Sequence, residues 1–106
     1  MSAPNDRRRK IINQAWIGDA VLGLYVRLKI LRDDGTLDGE KFSRMTSNQF
    51  LTILGEPTEV EADLGREYER AGLEAAFAWI DERLLPHFDR QEAKRLKAVR
   101  PRYPQP

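Results

Sequence analysis

The chain has 106 residues, enough for one domain of ordinary size, and 41% of them are hydrophobic, enough for a modest core. It contains no cysteine, which excludes a disulfide framework and thiolate metal sites, and no apolar run of about 18 residues that would span a membrane. The formal net charge of +1 hides an asymmetry. Arg7, Arg8, Arg9 and Lys10 crowd the start, Arg90, Lys94, Arg95, Lys97, Arg100 and Arg102 crowd the end, and the middle is acidic.

Taken in chain order, the first signal is a helix start at Pro4-Asn5-Asp6, with Asn5 or Asp6 as N-cap. A long helix follows to about Leu31, closed by the turn Asp33-Asp34-Gly35. Ile17, Val21, Leu24, Leu28 and Leu31 recur at helical spacing along it. Asp38 opens a short helix over 40–45. Thr46 or Ser47 caps another over 49–54, which Gly55 and Pro57 end. Pro57 suits the first turn of a helix to about Arg70, interrupted by Ala71-Gly72. Leu73, Phe77, Ile80 and Leu84 stripe the next helix, with Pro86 just past its end, and residues 89–99 make a weaker basic helix. Nothing alternates as a strand would. The expected class is all-α, a compact domain of about five helices over residues 11–99, between a basic N-terminal arm (1–10) and a Pro-rich tail (100–106).

One residue stands out chemically. From Ile11 to Val26 the only charged side chain is Asp19, in a helix apolar on nearly every side and therefore expected at the centre of the fold. A carboxylate there needs an ion pair, hydrogen bonds or a metal. A purely structural aspartate bonded to arginine or backbone meets that need as well as a catalytic one. The acidic run Glu56, Glu59, Glu61, Asp63, Glu67 and Glu69 is a solvated face or a source of a second oxygen ligand for magnesium, and spacing does not choose among its members. His87, the lone histidine, reads as a surface residue, and Ser43, Thr46 and Ser47 read as caps. No Gly-rich phosphate loop is present.

The stretch Gln14-Ala15-Trp16-Ile17-Gly18-Asp19-Ala20-Val21-Leu22-Gly23-Leu24-Tyr25-Val26-Arg27 resembles the signature helix of the ribonuclease III family. It is most similar to the minimal branch, Mini-ribonuclease III, which shares the alanine at Ala15 where longer members carry glutamate. Ser43-Arg44-Met45-Thr46-Ser47-Asn48 resembles the family's second conserved helix start. Thr58-Glu59-Val60-Glu61-Ala62-Asp63-Leu64-Gly65, with Tyr68 and Gly72-Leu73-Glu74-Ala75-Ala76, resembles its later catalytic helix. The likeness covers about residues 11–86.

That resemblance implies a ribonuclease III-like homodimer in the cytoplasm, cutting double-stranded RNA with magnesium, manganese able to substitute. Asp19 and Glu61 take the catalytic and metal-binding positions, and Glu40 lies one residue out of register with a further family carboxylate. The family's RNA-gripping insertion is missing between Leu54 and Pro57, and no double-stranded-RNA-binding domain is present. Grip on RNA then falls to Arg7, Arg8, Arg9, Lys10, Lys94, Arg95 and Lys97, and pairing of subunits to Trp16, Ile17, Val21 and Leu24. Two other readings carry no cleavage: a catalytically silent RNA-binding or assembly relative, and an unrelated helical interaction module in which Asp19 is structural.

Overall fold

The computed structural model describes residues 4–99, and every regular element in that span is helical. Helix α1 runs Pro4–Asp34, α2 Gly39–Thr46, α3 Asn48–Leu51, α4 Pro57–Arg83 and α5 Leu85–Val99. None is long and apolar enough to cross a membrane.

Local chemistry explains most boundaries. Pro4 opens α1, so Asn5 and Asp6 lie inside its first turn instead of capping it. Proline at a first helical position gives up no hydrogen bond, and Asp6 sits where the helix dipole favours an acid. Arg7, Arg8, Arg9 and Lys10, of the basic arm expected over 1–10, are consequently early turns of α1. The tail over 100–106 lies outside the described residues. Gly35, at φ 76°, ends α1 and donates its N–H to the carbonyl of Leu31 at 3.0 Å. Asp38 caps α2 by accepting from the Lys41 N–H, and Ser47 caps α3 by accepting from the Phe50 N–H at 3.1 Å. Thr46 is no cap; its hydroxyl bonds back to the Phe42 carbonyl. Helix α3 stops at Leu51, leaving Ile53 and Leu54 exposed, shorter than the expected 49–54.

Glu56 caps α4 ahead of Pro57, accepting from the Glu59 N–H at 2.8 Å. The helical bonding of α4 is broken at Gly72, whose φ of 90° an L side chain rarely adopts, so two helical halves meet there. Helix α4 ends at Arg83, so Pro86 lies just past its end as expected, and it also sits in the first turn of α5, where its missing N–H costs nothing.

The core forms where α1 and α4 face each other, closed at one end by α2, α3 and α5. Leu22 and Val26 of α1 meet Leu64, Ile80 and Leu84 in one cluster with Met45, Leu51 and Phe88. Phe50 stacks on Phe88 with ring centroids 4.6 Å apart, and Tyr25 meets Phe77 edge-on at 5.3 Å. Arg44 makes a two-point ion pair with Glu92, at 3.0 and 3.1 Å, tying α2 to α5.

Glycines select which side of α1 is inside. A Cβ on Gly18 would collide with the Glu61 carbonyl oxygen, and one on Gly65 with the Gln14 carbonyl oxygen. The two helices therefore cross with backbone against backbone. Ala15, Leu22, Tyr25 and Val26 turn inward with Gly18. The opposite face carries Ile12, Trp16, Leu24, Leu28 and Leu31, all exposed, Trp16 by 76%. This corrects one expectation. Val21 is buried in the core and Ile17 packs against it, so neither is free for a subunit interface.

Candidate functional site

The crossing of α1 and α4 sets the geometry of a place where two carboxylates meet. Asp19 follows Gly18, and Glu61 supplies the carbonyl against which Gly18 is packed. With no side chain between the helices, the two acids emerge next to each other. Asp19 is exposed and Glu61 half-buried. The expectation of a centrally buried Asp19 is thus corrected: α1 is central, but Asp19 comes out at the rim of its buried face, and the desolvation penalty falls on Glu61.

Glu61 is pushed up to about 7 from the ordinary carboxylate range. Burial is the first cause, followed by the hydrogen bond that the protonated carboxyl donates to Asp19, the Asp19 charge, and the more distant charge of Glu56. Two acids this close share a proton when nothing else neutralises them. Glu56 itself is held low, first by the Glu59 and Thr58 backbone groups it caps and, weakly, by the charge of Arg8.

Other acids do not join the pair. Among the described residues no three His, Cys, Asp or Glu side chains converge as metal ligands. Glu40 is exposed in the first turn of α2, where its charge is felt by Arg44. Asp63 and Glu67 are taken by Arg66 and Arg70 on the same helix. Thr58, half-buried in the first turn of α4, lies one helical turn before Glu61 and carries a hydroxyl.

Cations separate into two populations. In the middle of the chain each is engaged: Lys29 with Asp33, Lys41 with Asp34, Arg44 with Glu92, Arg66 with Asp63 and Arg70 with Glu67. Arg27 lies over the Phe42 ring and Arg83 over Trp79. At the start, Arg9 reaches Asp6 at 4.0 Å, while Arg7, Arg8 and Lys10 make no ion pair, hydrogen bond or ring contact among the described residues. The same holds for Arg90, Lys94, Arg95 and Lys97 on α5. The residues expected to grip RNA are thus largely those left with uncommitted charge. Of the residues expected at a subunit interface, Trp16 and Leu24 are available.

Sequence reading missed Gly18 and Gly65 as the residues that align the pair, though a signal existed. Glycine inside a helix costs about 1 kcal/mol against alanine and asks for a packing reason. Glu56 as a cap, the Tyr25 hydroxyl donating to Asp81, and Arg90 among the free cations were also not singled out. Comparison with protein-family models, with curated proteins and with solved structures finds no match to this chain.

Proposed function

We propose that this chain is a divalent-metal-dependent endoribonuclease of the ribonuclease III type, acting on double-stranded RNA as a homodimer. The observation that carries this reading is the Asp19–Glu61 pair: two carboxylates from different helices, close enough to share a proton. Such a pair fits magnesium or manganese, because a divalent cation relieves the same repulsion as the proton and favours hard oxygen donors with several waters retained. Asp19 and Glu61 would hold the ion, which supplies an acidified water and charge neutralisation at a phosphodiester. Asp19, exposed at the rim, is the side of the pair that solvent and substrate reach, while half-buried Glu61 is held in register by the helix crossing. The uncommitted cations at the start of α1 and on α5 would hold phosphates, as recognition of a duplex by backbone and shape requires. The exposed stripe of α1 would pair with its copy, two-fold association being the commonest way to cover such a face.

A second reading has its own observation. Because only two carboxylates meet among the described residues, a catalytically silent RNA-binding relative uses the same cations and needs no metal. Cleavage of labelled duplex RNA by purified protein across magnesium and manganese titrations separates the two. The nuclease reading expects cutting that Asp19→Asn abolishes while circular dichroism and melting stay native. Binding of duplex without cutting at any metal concentration replaces it with the silent relative.

A further inference from the structure

Three of the four uncommitted cations of α5, Arg90, Lys94 and Arg95, line an open groove of about 750 Å³. His87, Arg90, Gln91, Lys94, Arg95 and Ala98 recur at helical spacing and form one wall. Ile53, half-exposed just beyond α3, stands opposite. Among the described residues no acid lines the groove. The carboxylates of α5 are directed elsewhere: Glu92 is held by Arg44, and Asp89 falls on the far side of the helix by its spacing from His87. Lys97 is not among the residues that line the groove, although its seven-residue spacing from Arg90 keeps it on the same flank of the helix. The Gln91 amide donates to the Arg44 carbonyl at 3.4 Å, fixing this part of the wall to α2.

Three unpaired cations on one fixed helical face, with no acid among them, are electrostatically complementary to a regular polyanion. From His87 to Arg95 the helix rises about 12 Å, the axial interval of three to four phosphates on one strand of a duplex at about 3.4 Å each. Ile53 offers the opposite edge an apolar surface suited to ribose carbons.

We infer that the groove between Ile53 and α5 is a track for the sugar-phosphate backbone of an RNA strand, with Arg90, Lys94 and Arg95 as its phosphate contacts and His87 at its end. The inference rests on the reading that the ligand is duplex RNA, and it assigns the grip missing between Leu54 and Pro57 to α5. Arg90 and His87 become binding residues.

The test is fluorescence anisotropy of a labelled RNA duplex of about 20 base pairs, with chelator present, from about 50 to 200 mM salt. Asp19→Asn serves as background so that nothing is cut. Replacing Arg90, Lys94 and Arg95 together by Gln is expected to lower the log–log salt slope by two to three units, about 0.9 for each phosphate contact, and to weaken binding at least tenfold. Arg95→Gln alone is expected to lower it by about one. Arg83→Gln is expected to leave the slope unchanged.

An unchanged slope in the triple variant overturns the track, even where the wild type cuts RNA and the nuclease reading stands. A lowered slope with no cutting by the wild type keeps the track and overturns the nuclease. Absence of any salt-sensitive RNA binding overturns the track, as does equal or tighter binding of a polyglutamate peptide of matched charge to the same residues.

Discussion

At the scale of single residues, Glu61 gives the clearest handle. Its ordinary range lies near 4.5 in the unfolded chain and it is pushed up to about 7 in the fold. The folded state therefore binds the proton more tightly, and the stability this brings is full below pH 4.5 and is lost as pH rises through 7. The shift corresponds to roughly 3 kcal/mol before solvent screening, and to about 1–2 kcal/mol once a half-buried site is discounted for it. In chelator, melting temperature is expected to fall by several degrees between pH 5 and pH 8. Glu61→Gln is expected to flatten that dependence and to melt above wild type at pH 8. A pH-independent wild-type melt in that range would show that the two acids do not share a proton. With magnesium present the difference between pH 5 and pH 8 is expected to shrink, since the cation takes over the proton's place.

At the scale of elements, two contacts decide how the helices are held. Gly18→Ala and Gly65→Ala each place a methyl group against a backbone carbonyl that no rotamer change can move. Overpacking of this kind costs about 1–3 kcal/mol, and backbone-on-backbone crowding belongs at the upper end. A lowered urea midpoint in both variants, with loss of any metal binding, is the expected result; a native midpoint would mean that the crossing is looser than described. The Arg44–Glu92 pair is the only side-chain ion pair that joins α5 to α2 among the described residues. Arg44 holds Glu92 below its ordinary range, so its stabilisation is present above the unfolded value and disappears as acid protonates the pair. Glu92→Ala strands a half-buried guanidinium and is expected to cost about 1–2 kcal/mol and to expose α5 to limited proteolysis.

Much of this was legible beforehand. Gly35, Ser47 and Pro57 punctuate the chain because each satisfies a specific backbone requirement. The inner face of α1 was not legible. With Trp16, Leu24 and Leu28 as apolar as Leu22 and Val26, periodicity alone has no preferred side, and the choice belongs to Gly18 and its partner 47 residues away. Asp19 and Glu61 were paired by resemblance and not by chemistry, because six acids in one run look alike until a crossing point selects one.

At the scale of the whole molecule, α1 is apolar on two opposite faces and only one is covered. Homodimerisation through the other is expected to give twice the monomer mass in light scattering, and Trp16→Glu to return it to monomer. Trp16 emission, read in a Trp79→Phe background, is expected to shift to the blue on association. Monomeric wild type at high concentration would remove the dimer from the proposal.

The helix crossing has one consequence for how this chain can change over time. Because α1 and α4 touch through main chain at Gly18 and Gly65, the separation of Asp19 from Glu61 does not depend on the sizes of the surrounding core side chains. Swaps such as Leu22→Met or Leu64→Met can repack the interior while that separation stays fixed. Drift in the hydrophobic residues is thereby insulated from the acids, and a lineage could lose nearly all sequence likeness to its relatives while two glycines and two carboxylates keep their places.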